Sequence, residues 1–245
     1  MKNIAVIGAT GEVGGGIVQA LLARGHHVTA IARSHAKLTN LAQSLGNPTN
    51  LTLVTGSLES DSTAAALVQS LPPLDAVAVS VNGPRVTAPI LSHTSEELAG
   101  LVTQDIVTHY TAARAFIPIL PKTGVFLGIG GGSADFILED GAHLSAAQAG
   151  LRMLYRGLAL ETPNVHVKEL TVASVVNSPA TRAVAHELWV TDLEIGEHVA
   201  RIIENPGDFP NPIWRLTRRD GSGLPGFAAD SPTRVQGFKQ AAEVK

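Results

Sequence analysis

Three glycines spaced three residues apart, Gly8, Gly11 and Gly14, lie in the run Gly8-Ala9-Thr10-Gly11-Glu12-Val13-Gly14. Glycines at these intervals allow a tight turn, a close approach of backbone N–H groups to a diphosphate, and close contact between a helix and the strand before it. The chemistry offered is anion binding, with Thr10, Glu12 and Val13 completing the loop. Arg33, with Lys37 beyond it, can pair with a further phosphate. Two other side chains could take part in proton transfer or polarisation, Ser133 and His143, which flank the short stretch 134–142. Histidine is a proton donor near neutral pH, although a histidine in a loop or cap has the same sequence signature.

These residues need elements to place them. Ile4–Ile7 reads as a buried strand, and Ile17, Leu21 and Leu22 follow the turn at helical spacing. Short apolar runs recur at His27–Ala32, Leu51–Thr55, Ala76–Val81, Val125–Ile129, Val165–Thr171 and Ile213–Thr217, separated by helix-like stretches. The alternation predicts an α/β fold, a three-layer doubly wound Rossmann sandwich with a parallel sheet of about seven strands. Glu96–Leu120 and Ala142–Leu160 predict long helices, and Thr191–Glu204 a later one. Nothing divides the 245 residues, so a single NAD(P)-binding Rossmann-like domain over 1–245 is expected, with 219–245 as a peripheral tail. The small residues opening Ala142–Leu160 suit close packing within the chain or against another copy, as a homodimer or homotetramer.

No Asp or Glu occurs in His26–Leu38, where an acidic residue would hold the 2′-hydroxyl of NAD, whereas Arg33 can meet a 2′-phosphate. NADP(H) is therefore favoured over NAD(H). Two further strand ends fall on the ligand-collecting edge of such a sheet. Ser57 and Leu58 follow the third strand, with Leu58 a candidate neighbour of the adenine. Asn82 and Gly83 follow the fourth, where they could pass beneath the adenosine ribose.

The formal net charge is −3 and only 16% of residues are charged, so there is no basic footprint for nucleic acid or for a membrane surface. A small-molecule substrate or ligand is the expected partner. Cysteine is absent, which excludes disulfides and thiolate chemistry. The nine histidines show no metal-ligand spacing, and no nucleophile elbow or Walker loop is present. No apolar run approaches the ~20 residues that cross a bilayer, and no leader-like segment precedes the first strand, so a cytoplasmic protein is expected.

On these residues the chain resembles the short-chain dehydrogenase/reductase family over about residues 3–205. The Gly8–Gly14 loop has the glycine spacing of the family's extended or atypical members, Arg33 is similar to its NADP-selecting arginine, and Val81-Asn82-Gly83 to its asparagine-alanine-glycine element. The resemblance implies hydride transfer supported by a tyrosine, a lysine four residues later, a serine, and an asparagine on the long fourth helix. In this chain those positions hold Leu144, Gln148, Gly131 and Asp105. The expectation is an NADP(H)-binding protein, an oxidoreductase of small carbonyls or alcohols working through other residues such as Ser133 or His143, or alternatively a non-catalytic NADP(H) sensor or regulator. The glycine run Gly128–Gly132 is a candidate oxyanion or ligand floor, or a flexible loop.

Overall fold

The computed structural model describes residues 1–83, 85–217 and 234–235. Ile4, Ala5 and Val6 are all fully buried, so β1 (Asn3–Ile7) has no solvent face and must be covered on both sides. The chain continues through α1 (Glu12–Ala23), β2 (His27–Ala32), α2 (His35–Ser44), β3 (Leu51–Thr55), α3 (Asp61–Gln69), β4 (Ala76–Val79), α4 (Ser95–Phe116) and β5 (Val125–Gly131). It then passes the short β6 (Ile137–Leu138), α5 (Ala142–Glu161), β7 (His166–Ala173), the short β8 (Val176–Asn177) and β9 (Val190–Thr191), α6 (Asp192–Glu204), β10 (Ile213–Thr217) and β11 (Arg234–Val235).

Seven strands form one parallel sheet in the order β10-β7-β5-β4-β1-β2-β3. Alternate strand residues feed two cores. Ile4, Val6, Ala78 and Leu127 meet Ile17 and Leu21 of α1, Leu38 of α2 and Ile195 and Val199 of α6. Ala5, Ile7, Val77 and Phe126 meet Leu67 of α3, Phe116 of α4 and Leu151 and Tyr155 of α5. This is the expected three-layer doubly wound sandwich. Its order reverses between β1 and β4, opening a crevice at their carboxyl ends, where ligands bind in this architecture.

The long fourth helix stops at Phe116 rather than Leu120, and a 3-10 turn covers Ile117–Ile119. Pro118 explains the difference, because it lacks the N–H that would continue the helical ladder, while Ile117 itself keeps helical geometry at φ −56° and ψ −42°. Thr94 with Glu97, and Thr191 with Glu194, form reciprocal capping boxes that start α4 and α6. The C-terminal tail assigned to 219–245 lies outside the described residues apart from the pair 234–235. No helix among the described residues is long and apolar enough to cross a membrane.

Candidate functional site

The glycine turn leaves β1 with Gly8 at φ +82°, a left-handed conformation, while its N–H and that of Ala9 both donate to the carbonyl of Ile31 on β2. A methyl group on Gly8 would overlap the Ser80 carbonyl oxygen and stand 2.8 Å from its carbon. One on Gly14 would overlap the Gly8 carbonyl oxygen and stand 2.9 Å from the Gly8 carbon. The turn is thus wedged between β2, β4 and α1 with no space for a side chain at either glycine. Gly11 is the N-cap of α1, its N–H is used by Gly8, and no side chain caps the helix. The N–H groups of Glu12, Val13 and Gly14 are therefore left for an acceptor from outside the helix, at its positive end.

Glu12 itself turns away from that role. Its carboxylate accepts a 2.8 Å hydrogen bond from the buried Ser178 hydroxyl, which ties the segment after β7 to the start of α1. Thr10 is half-buried within the turn. These features fit a diphosphate: unpaired donors, a glycine cradle and a helix terminus coincide at the crevice.

Arg33 leaves the end of β2 with its side chain 81% exposed and its guanidinium 4.0 Å from Glu59. Ser34 caps α2 by accepting from the Lys37 N–H at 3.3 Å. Ser57 accepts from the Glu59 N–H. Leu58 is packed into the core with Ile31 and Leu67, so only its margin is available to a ring.

Beyond β4, Asn82 is exposed and the Gly83 N–H donates to Asp105 of α4. Asp105 is buried, accepts from the Gln148 side-chain amide of α5 at 2.8 Å, and lies 3.6 Å from the half-exposed Arg85. The Gln148 carbonyl oxygen in turn accepts from the Gly131 N–H at 2.5 Å. Three of the residues singled out from sequence, Gly131, Asp105 and Gln148, thus meet in one closed network at the ends of β4 and β5, while Leu144 is buried nearby on α5. Asp105 is thus a buried, doubly hydrogen-bonded carboxylate and not a solvated one.

Ser133 and His143 do not share one environment. Ser133 is half-buried in a turn whose neighbour Asp135 is gripped by Arg152, at 2.5 and 2.9 Å, and by Arg215 at 2.6 Å. His143 is fully buried and turned onto the segment before α4. Its Nε2 donates to the Val86 carbonyl at 2.8 Å, and its ring meets that of His93 edge-on at 4.9 Å.

The glycine run has a packing origin. Methyl groups on Gly128, Gly130 and Gly132 would overlap the Tyr155 ring, the Glu169 carboxylate and the Ala173 backbone respectively. These glycines let α5 and β7 approach β5, and the run is strand as far as Gly131 rather than a flexible loop. Glu169 is buried there with its carboxyl pushed above the usual range by burial.

Tyr155 is fully buried in the core between α5 and the sheet, and there it meets His109 of α4. The Tyr155 hydroxyl is 2.8 Å from His109 Nδ1, and His109 Nε2 is 2.9 Å from the Val81 carbonyl. A carbonyl only accepts, so Nε2 carries the proton and the tyrosine donates to Nδ1. Burial lowers the histidine pKa and pushes the tyrosine well above 10.0. Polar residues at helical spacing on largely buried faces, 105 with 109 and 148 with 155, were the available signal. Among the described residues, no group of three His, Cys, Asp or Glu is placed to hold a metal.

Residues 8–120 match the model of a family described as NAD(P)H-binding. No curated protein matches the chain in sequence. Among solved structures, an alcohol dehydrogenase from the archaeon Thermococcus sibiricus complexed with 5-hydroxy-NADP has a TM-score of 0.76 at 19% identity, covering 91% of this chain and 98% of that one. A Burkholderia thailandensis oxidoreductase of the short-chain dehydrogenase/reductase family has a TM-score of 0.75 at 21% identity, covering 88% and 90%. A short chain oxidoreductase from Pseudomonas aeruginosa PAO1, described as containing an atypical catalytic center, has a TM-score of 0.75 at 16% identity, covering 88% and 94%. The chain therefore has the Rossmann-like fold of these oxidoreductases.

Proposed function

We propose that the chain binds NADP(H) along the crevice between β1 and β4 and is an oxidoreductase of a small carbonyl or alcohol compound. The observation that carries this reading is the wedged glycine turn at an uncapped helix start, where Gly8 and Gly14 leave room for backbone donors and none for side chains. Glu12, Val13 and Gly14 would hold the diphosphate by their N–H groups. Arg33, exposed and only loosely tied to Glu59, would meet the 2′-phosphate, and Asn82 and Gly83 would border the adenosine ribose. The bound cofactor supplies or takes up a hydride.

The chain's own contribution to proton handling is small. Gln148 is an amide with no proton to give, Asp105 and the Gly131 N–H are committed to it, and Leu144 is apolar. His143 is committed to Val86 and enclosed. Ser133 is the half-buried hydroxyl beside the end of β5, and it would orient a substrate oxygen by hydrogen bonding while the proton exchanges with solvent or within the substrate.

The closed Gln148 network also favours a second reading, an NADP(H)-binding sensor without turnover. NADPH oxidation across a carbonyl panel separates the two. The oxidoreductase reading expects turnover that falls in Ser133→Ala without loss of NADPH binding. Binding with no turnover, together with a cofactor-dependent change in assembly, would support the sensor.

A further inference from the structure

We propose that Asp105 and His109 of α4 are positioning residues for the cofactor crevice, holding the Val81–Gly83 bend in place while Gln148 and Tyr155 of α5 hold them. The inference rests on the cofactor reading above.

Its geometry is a brace with two rungs. Asp105 and His109 are four residues apart and lie on one face of α4, and Gln148 and Tyr155 are seven apart on one face of α5. In the upper rung the Gly83 N–H and the Gln148 amide both donate to Asp105, and Gly131 N–H donates to Gln148. In the lower rung Tyr155 donates to His109, which donates to Val81. Every donor and acceptor is matched in direction, and the four side chains are each no more than 4% exposed. The bend they hold continues from Ser80, whose carbonyl touches the Gly8 turn, and Val81 Cγ2 lies 3.1 Å from where a Gly8 Cβ would stand. The brace therefore fixes the wall opposite the phosphate turn. It also commits Asp105, Gln148 and the Gly83 and Gly131 N–H groups to one another.

Direction matching gives a test by charge relocation. Asp105→Asn sets its amide N–H group against that of Gln148, and turning Gln148 around only moves the conflict to the Gly131 N–H. Gln148→Glu alone sets two carboxylates together. In the double variant, the carboxylate now at position 148 accepts from Gly131 and from the amide now at position 105, whose oxygen accepts from Gly83, so all directions match again. NADPH and 2′,5′-ADP affinities are measured by calorimetry on folded protein, with the Gly83 and Gly131 amide resonances followed by NMR. Asp105→Asn is expected to weaken NADPH about tenfold or more, the scale of one charge-assisted hydrogen bond, and to shift both amides; the double variant is expected to recover affinity to within about threefold. Tyr155→Phe, a milder change, is expected to weaken NADPH several-fold and shift the His109 ring resonances. Folded single variants that bind NADPH with the wild-type constant overturn the proposal, as does a double variant no better than Asp105→Asn. Wild-type protein that binds no NADPH instead overturns the cofactor reading; the amide shifts then still report whether the brace holds the bend.

Discussion

Replacing Gly8 by alanine tests the cradle with a built-in control. Gly8 and Gly25 both have positive φ, at +82° and +77°, but a methyl group at Gly25 meets nothing within 4 Å, whereas at Gly8 it overlaps the Ser80 carbonyl and stands 2.8 Å from its carbon. Left-handed backbone costs an alanine about 1–2 kcal/mol in both cases. At Gly8 the carbon contact is also more than half an ångström inside the ~3.5 Å optimum, and because it falls on backbone no rotamer change relieves it. Overpacking of this kind adds about 1–3 kcal/mol. For a chain of this size about 1 kcal/mol corresponds to 2–4 °C, so Gly25→Ala should lower Tm by roughly 2–8 °C and Gly8→Ala by roughly 4–20 °C. Calorimetric unfolding gives the difference, and NADPH titration of the two folded variants gives its consequence: Gly25→Ala binds as wild type and Gly8→Ala does not. Equal Tm losses, with NADPH bound normally by both, would mean that the Ser80 contact does not constrain the turn at Gly8.

Acidification should destabilise the fold. Burial holds His109, His166 and His198 below the ordinary histidine pKa, so between those values and about 6.5 the unfolded chain binds more protons. Their contribution is complete above about pH 6.5 and is lost as pH falls through the depressed folded values. Glu169, raised by burial, acts with opposite sign, favouring the fold as pH falls toward about 4.3. Tm measured from pH 8 to 5 should drop below pH 6.5, less steeply in His109→Gln; a flat profile contradicts this. Asp135→Ala should cost about 3–5 kcal/mol in urea unfolding by stranding the largely buried Arg152, whereas Arg24→Ala, on the more exposed pairs with Glu197 and Glu204, should cost under about 1 kcal/mol.

The sheet and most helix positions were legible because their signals are local. Residues 4–7 form an uninterrupted apolar run, and one glance at their flanks shows the turn and the helix. Asp105, Gly131 and Gln148 were singled out together by their spacing, and the structure links them through Gln148. Their use was not legible. Whether a buried carboxylate is solvated or bridged depends on an amide 43 residues away, and nothing local to Asp105 specifies it. The packing role of the glycines at 128, 130 and 132 was hidden for the same reason, since Tyr155, Glu169 and Ala173 arrive from other elements. His143 had the right neighbourhood in sequence, but the path of residues 86–93 decides which way its ring is covered.

In the proposed function this crevice is an NADP(H) site read by Arg33. Calorimetric titration of cofactor-free protein with NADPH and with NADH, repeated on Arg33→Ala, tests it most directly. Arg33 is exposed, so the variant should unfold within about 0.5 kcal/mol of wild type. NADPH should bind more tightly than NADH by about tenfold or more, with that preference lost in Arg33→Ala and NADH affinity unchanged. Equal weak binding of both cofactors by the wild type, or a preference that survives the substitution, would contradict it.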